Sequence, residues 1–163
     1  YEINLWAMPV QRPYNPNAKL MAEMVQADWA KVGVKAKIVS YEWAEYLKRA
    51  SKGEHDAIIV GWTGDNGDPD NWLGTLLSCK AIGGNNYAQW CNKDFDQLVT
   101  EARKITDHDQ RVERYMKAQQ IFKQELPWTT MAHSVVTVMT TPNVKDFKID
   151  PFGSMRFEGV KVE

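Results

Sequence analysis

The segment HDAIIVGWTGDNGDPDN, residues 55–71, admits few folds. Its apolar run Ala57-Ile58-Ile59-Val60 is short, β-branched and bounded by polar residues, the pattern of an interior strand rather than a helix. Gly61 and Trp62 close the run. Thr63-Gly64-Asp65-Asn66-Gly67 then supplies two glycines and short polar side chains, which suit an irregular loop whose backbone can lie close to a ligand. Asp68-Pro69 reads as an N-cap followed by proline at the first helical position. The segment is thus a strand, a loop and a helix start, and in open α/β sheets such loops lie at the carboxyl ends of the strands, where ligands bind. Asp65 sits inside this one.

The residues before it extend the same logic. Tyr1 to Ala7 alternates as a strand, and Pro9, Pro13 and Pro16 then forbid regular pairing and give the next loop a fixed shape. Asn17 is predicted to cap a helix with Leu20, Met21, Met24, Val25, Trp29 and Val32 inward and Gly33 as its stop. Val34 to Val39 reads as a half-exposed strand. Ser40 is expected to cap a second helix through about Ala50, carrying Trp43, Leu47 and Ala50 inward and ending near Gly53. A β-α-β-α-β order with right-handed crossovers builds a mainly parallel sheet with helices on its faces. Arg12 and Asp65 then both leave carboxyl ends of strands and belong on one rim.

Past Pro69 a short helix carries Trp72, Leu73, Leu76 and Leu77, and Cys79 to Cys91 encloses a Gly-Asn loop. A helix after Asn92 presents Phe95, Leu98, Val99, Ala102 and Ile105, and one from Asp107 presents Val112, Tyr115, Met116, Phe122 and Leu126 until Pro127 stops it. Three strands are expected beyond it, over Trp128 to Thr141, Val144 to Ile149 and Met155 to Val162.

Composition narrows the function. A chain of 163 residues, 44% hydrophobic, can bury a core of its own. Its net charge of -1 is interspersed, which excludes an electrostatic footprint for nucleic acid or an anionic membrane. No apolar run approaches the roughly 20 residues of a membrane-spanning helix. Opening in mid-strand, the chain is expected to be a piece of a longer protein.

Few residues can carry chemistry. DNGDPDN is acidic enough to suggest calcium, but as an EF-hand loop it places Pro69 and Leu76 where ligands are needed. Asp68 and Asp70 are expected to serve the helix N-terminus, which leaves the Asp65 carboxylate facing the rim. His55, His108 and His133 lie in different elements, and no phosphate-binding, dinucleotide-binding or nucleophile-elbow motif occurs, so neither cofactor nor metal is expected. Arg12, in the proline loop, can present a bidentate fork to a carboxylate, against the alternative of an ordinary exposed arginine. Of the seven tryptophans, Trp6, Trp29 and Trp72 fall on expected core faces, while Trp43 and Trp62 border the loops as candidate pocket walls. The two cysteines are close enough in sequence for a disulfide, which would imply an oxidising compartment; two free thiols are the alternative.

Read together, WAMPVQRPYNPNAKLMAEMVQADWAKVGVKAKIVSYEWAEYLKRASKGEHDA, GWTGDNGDPDN and the Cys79/Cys91 loop resemble the peptide- and nickel-type solute-binding family of ABC importers, and within it the dipeptide-binding members. The resemblance covers the whole chain and is looser from Lys80 to Gln89 and from Leu126 onward. It implies an α/β, periplasmic-binding-protein-like lobe with a mainly parallel β-α-β-α-β core over residues 1–141, and a tail over residues 142–163 that crosses back to a second lobe. The chain would be about the carboxyl-terminal third of such a protein. Arg12 would hold a peptide carboxylate and Asp65 its α-amino group. Gly61, Trp62, Thr63 and Gly64 would run beside the peptide main chain, Tyr14 and Trp43 would complete the ligand-binding set, and Cys79 would pair with Cys91.

The implied role is capture of zwitterionic dipeptides, with little side-chain selection, in the periplasm for delivery to an inner-membrane ABC permease, without enzymatic activity. One alternative is a family member with another ligand: haem, a nickel chelate, glutathione or a longer peptide. Another is a metal-dependent hydrolase using Asp65, Asp68 and His55. A lone chain of this extent is expected to self-associate through its tail strands.

Overall fold

The computed structural model describes residues 1–150 and 152–163; position 151, within the expected tail, lies outside the described residues. The first half follows the predicted order: β1 (Glu2–Trp6), α1 (Ala18–Lys31), β2 (Lys35–Val39), α2 (Trp43–Ala50) and β3 (Ala57–Ile58). β1 pairs in parallel with both other strands, giving the order β2-β1-β3. The central strand is therefore β1. The Ala57–Val60 run, expected to be interior, is a two-residue edge of this sheet, extended only by the Ile59 N–H donating to the Trp6 carbonyl at 2.9 Å. Beyond Ile59 the chain leaves the ladder to bring Gly61 against the Tyr14 ring.

Alternation assigns the two sheet faces. Leu5 and Ala36 pack with Ala22 of α1, backed by Val25 and Trp29. Trp6 and Met8 pack on the other side with Tyr46 of α2. Tyr46 is fully buried, and its hydroxyl lies 3.2 Å from the Trp6 carbonyl and 2.9 Å from that of Ile59, joining α2 to β1 and β3 at once. Burial in this setting pushes its pKa far up.

Caps and stops fall mostly where local chemistry puts them. The Asn17 side chain accepts from the Leu20 N–H at 3.0 Å, and Gly33 leaves α1 at φ 83°, a conformation that side chains rarely adopt. Two expectations fail. Leu20, Met24 and Val32 are exposed, because α1 rests on Ala18 and Ala22, whose small side chains let the helix approach closely and rotate the buried stripe. The cap of α2 is Glu42, which accepts from the Ala44 and Glu45 N–H groups, whereas the Ser40 hydroxyl donates to the Ala7 carbonyl.

The second half builds its own core. α3 (Asp70–Leu77), α4 (Lys93–Ala102) and α5 (His108–Glu125) enclose Leu77, Phe95, Val99, Ala102, Tyr115 and Ala118. The two helices begin where expected, with Asn92 and Asp107 as their caps. Ala118 takes the contact with α4, so Val112 and Met116 stay exposed, as does Leu126 at the left-handed end of α5. A disulfide joins Cys79 to Cys91 across the loop between α3 and α4.

Of the three strands expected beyond Pro127, the first is not formed and the other two shrink to two residues each. Trp128 to Thr141 contains none, and pairing is confined to β4 (Val144–Lys145) and β5 (Lys161–Val162), which run antiparallel. β-branched residues make a strand where a ladder partner and a face to bury exist. Among the described residues this segment has neither; Val135 is 91% and Met139 94% exposed.

Candidate ligand-binding rim

Because β1, β2 and β3 run parallel, the residues that follow each strand gather along one edge of the sheet. The proline loop with Arg12 and Tyr14 follows β1, Tyr41 to Trp43 follows β2, and Gly61 to Asp65 follows β3.

The proline loop is tightly closed. Arg12 and Asn15 exchange two backbone hydrogen bonds of 3.1 and 2.9 Å, and the buried Asn15 accepts from the Asn17 N–H at 3.1 Å. Arg12 therefore leaves a fixed point of the backbone. Its guanidinium lies 4.8 Å from the centroid of Trp43, which in turn stacks on Tyr46 at 5.6 Å. Trp43 thus holds the arginine from below through a cation–π contact. Burial pushes the Tyr14 hydroxyl up, while the neighbouring Arg12 charge and the Gly61 backbone pull against it.

Gly61 and Gly64, in the third loop, are required by contact. A Cβ on Gly61 would overlap the Tyr14 ring, and one on Gly64 would overlap Trp72. Trp72, expected in the core, instead covers Gly64 and remains partly exposed. Tyr14 and Gly61 thereby bring the first and third loops into contact.

Sequence reasoning missed Asn71. Its Oδ1 accepts from Trp62 Nε1 at 2.8 Å and from the Asp65 N–H at 3.0 Å, and its Nδ2 donates to Asp65 Oδ2 at 3.0 Å. Thr63 and Asp65 are exposed on the rim. Among the described residues, neither Arg12 nor Asp65 takes part in an ion pair, with each other or with any other residue.

Asp68 and Asp70 also do more than start a helix. Asp68 Oδ1 accepts from the Asp70 N–H at 2.9 Å, as a cap should, although the helix itself begins after Pro69. Its other oxygen pairs with Arg111 at 2.5 Å, and Asp70 pairs with Arg103 at 2.5 Å. Partial burial pushes the Asp68 carboxyl up, but the Asp70 N–H and the Arg111 guanidinium outweigh it and the net direction is down. His55 lies 3.0 Å from the Tyr87 carbonyl through Nε2, and burial pushes its pKa down. Asp68 is engaged by Arg111 and His55 by Tyr87, and among the described residues no three His, Cys, Asp or Glu side chains gather as a metal-binding group.

Two hollows lie near the rim. One of about 270 Å³ sits behind the third loop among Asp68, Asp70, Asn71, Arg103 and Arg111. Another of about 480 Å³ lies over the sheet, lined by Trp6, Lys37, Tyr41 and Arg49. Neither is lined by Arg12 or Asp65.

Comparison with known proteins gives the chain a family. Residues 5–84 match the family described as bacterial extracellular solute-binding proteins, family 5, middle. The chain is 62% identical, over 98% of its length, to di/tripeptide-binding protein 3 of Pseudomonas aeruginosa, and 48% identical, over its whole length, to heme-binding protein A of Haemophilus influenzae. It spans about 30% of the length of each of these curated relatives. Among solved structures, it superposes with a TM-score of 0.85 on a dipeptide-binding protein from Pseudoalteromonas sp. SM9913 in complex with Met-Leu, at 39% identity over 99% of this chain and 32% of that one. The fold is of the periplasmic-binding-protein type. Within that class, the chain belongs to the bacterial extracellular solute-binding proteins of family 5.

Proposed function

We propose that the chain is the peptide-gripping part of a two-lobe solute-binding protein that captures dipeptides in the periplasm and delivers them to an inner-membrane ABC permease. Residues 1–141 make up the lobe, and residues 142–163 form the tail that returns to the other lobe. One observation carries the reading: Arg12 and Asp65, opposite in charge and each anchored by its own loop, share a rim without neutralising each other.

An extended dipeptide separates its charged ends by roughly 6 to 7 Å. Arg12 takes the carboxylate as a bidentate fork and Asp65 takes the ammonium. The backbone of Gly61, Trp62, Thr63 and Gly64 runs alongside, held in place by the Tyr14 ring against Gly61 and Trp72 against Gly64. Tyr14 and Trp43 flank the arginine. Closing a second lobe over this rim removes water and strengthens both charge contacts. The ligand is bound and released unchanged. The di/tripeptide-binding relative and the Met-Leu complex support the assignment.

Haem is the second reading, favoured by the heme-binding relative. Haem has no ammonium group, so it makes no use of Asp65. Calorimetry of the intact two-lobe protein against a dipeptide, glutathione and haemin separates the two. Dipeptide binding should weaken on the order of 100-fold in Arg12→Ala and in Asp65→Asn, since each leaves a ligand charge unpaired. Haemin binding without dipeptide binding would overturn the proposal.

A further inference from the structure

We propose that Asn71 is the positioning residue for the ammonium-binding carboxylate, orienting Asp65 so that one of its oxygens is held and the other is presented to the ligand. The inference rests on the dipeptide reading above and adds to it a residue outside the rim itself.

Three hydrogen bonds converge on one neutral amide. An asparagine carbonyl oxygen has two lone pairs, and here both are used, one by Trp62 Nε1 and one by the Asp65 N–H. The amide nitrogen then reaches Asp65 Oδ2. Asn71 therefore touches the loop near its start and at its end, closing residues 62–65 through a side chain. With Oδ2 occupied, Oδ1 is the Asp65 oxygen without a hydrogen bond among the described residues. The chemistry of the clasp matters as much as its geometry. A lysine or arginine in this place would neutralise the carboxylate, and an aspartate would repel it; an amide orients the charge and leaves it intact.

Asn71 is itself well supported. It lies in the first turn of α3 between Leu73 and the two aspartates that pair with Arg103 and Arg111. Those pairs tie the turn to α4 and α5, so the orientation of Asp65 is referred back to the second core. An exposed aspartate free to rotate must lose rotamer freedom on capturing an ammonium. One already oriented binds more tightly for the same contact.

The test compares a free dipeptide with its N-acetylated form, which lacks the ammonium, in the intact two-lobe protein. Wild type should prefer the free form. Asn71→Ala should weaken the free dipeptide about tenfold and the acetylated one by at most about twofold, so that the preference collapses. Equal losses for both ligands, or no loss for either, would show that Asn71 does not act through Asp65. Asn71→Asp keeps the shape and the Oδ1 acceptor and covers the case in which the alanine variant does not fold. Its second oxygen is a carboxylate oxygen set against Asp65, and the repulsion of two like charges should make the preference for the free dipeptide pH-dependent. A pH profile as flat as that of wild type would overturn the inference. Asp65→Asn separates the two levels of the argument. If it leaves the preference intact, the ammonium reading fails; if the preference is lost in Asp65→Asn and kept in both Asn71 variants, only the role of Asn71 fails.

Discussion

Residues 2–60 and residues 128–163 are both rich in β-branched and aromatic side chains, and the two regions meet opposite fates. In the first, Leu5, Trp6 and Tyr46 are at most 3% exposed, and three parallel strands form. In the second, Phe157 is 66% exposed and Val135 91%, and pairing is limited to two residues on each strand. Propensity is similar, but the supply of partners is not. The first region carries its own crossover helices, so every strand finds a neighbour and a covering face. The second region has no helix among its described residues, and for its tail, residues 142–163, the partner is the second lobe to which we propose it returns.

The contrast is broken most severely at Tyr46. Tyr46→Ala removes a buried ring and the hydroxyl that serves two strands, with an expected loss of about 3 to 5 kcal/mol. Phe157→Ala in the 163-residue chain should stay within about 0.5 kcal/mol. Comparable losses in denaturant unfolding would mean that the tail is packed as firmly as the sheet. Replacing both Cys79 and Cys91 by serine comes next, at about 2 to 4 kcal/mol, read as a drop in the melting temperature that reductant reproduces in wild type. No effect of reductant on melting would show that the loop between α3 and α4 is held without the bond.

A smaller loss is expected at the contact between loop and aromatic. Gly64→Ala drives a methyl group into Trp72 and should cost about 1 to 3 kcal/mol, with a change in tryptophan emission. A neutral substitution there would show that Trp72 moves aside at no cost. The smallest effect is acid-dependent. The Asp68 carboxyl lies below its unfolded value of about 3.9, so its contribution is complete above that pH and is lost as pH falls through the folded pKa. Asp68→Asn should flatten this acid limb of stability below about pH 4. An unchanged limb would mean that other carboxylates account for it.

How far the site could be read in advance varies residue by residue. The placement of Arg12 and Asp65 in loops at one edge of the sheet was legible because each loop has a strong local signature, one rich in proline and the other in glycine. Asn71 was not, because its link to Asp65 spans six positions and matches no helical or strand period. The same holds for Asp68 and Asp70. Their capping role is local and visible, but their arginine partners lie 43 and 33 residues away.

What the sequence determined by itself was the set of features settled within about four residues: the cap at Asn17, the helix starts at Asn92 and Asp107, the stops at Gly33 and Pro127, and the order of strands and helices that puts Arg12 and Asp65 on one rim. Tertiary structure decided which of several apolar side chains is buried, as when Ala18 and Ala22 displaced Leu20 and Met24, and which β-branched segment becomes a strand. It also decided that Trp72 covers a loop rather than filling a core. The reason is physical. A cap or a stop is completed by hydrogen bonds and dihedral preferences of its immediate neighbours, whereas burial and strand pairing are completed only by surfaces that distant parts of the chain bring to them.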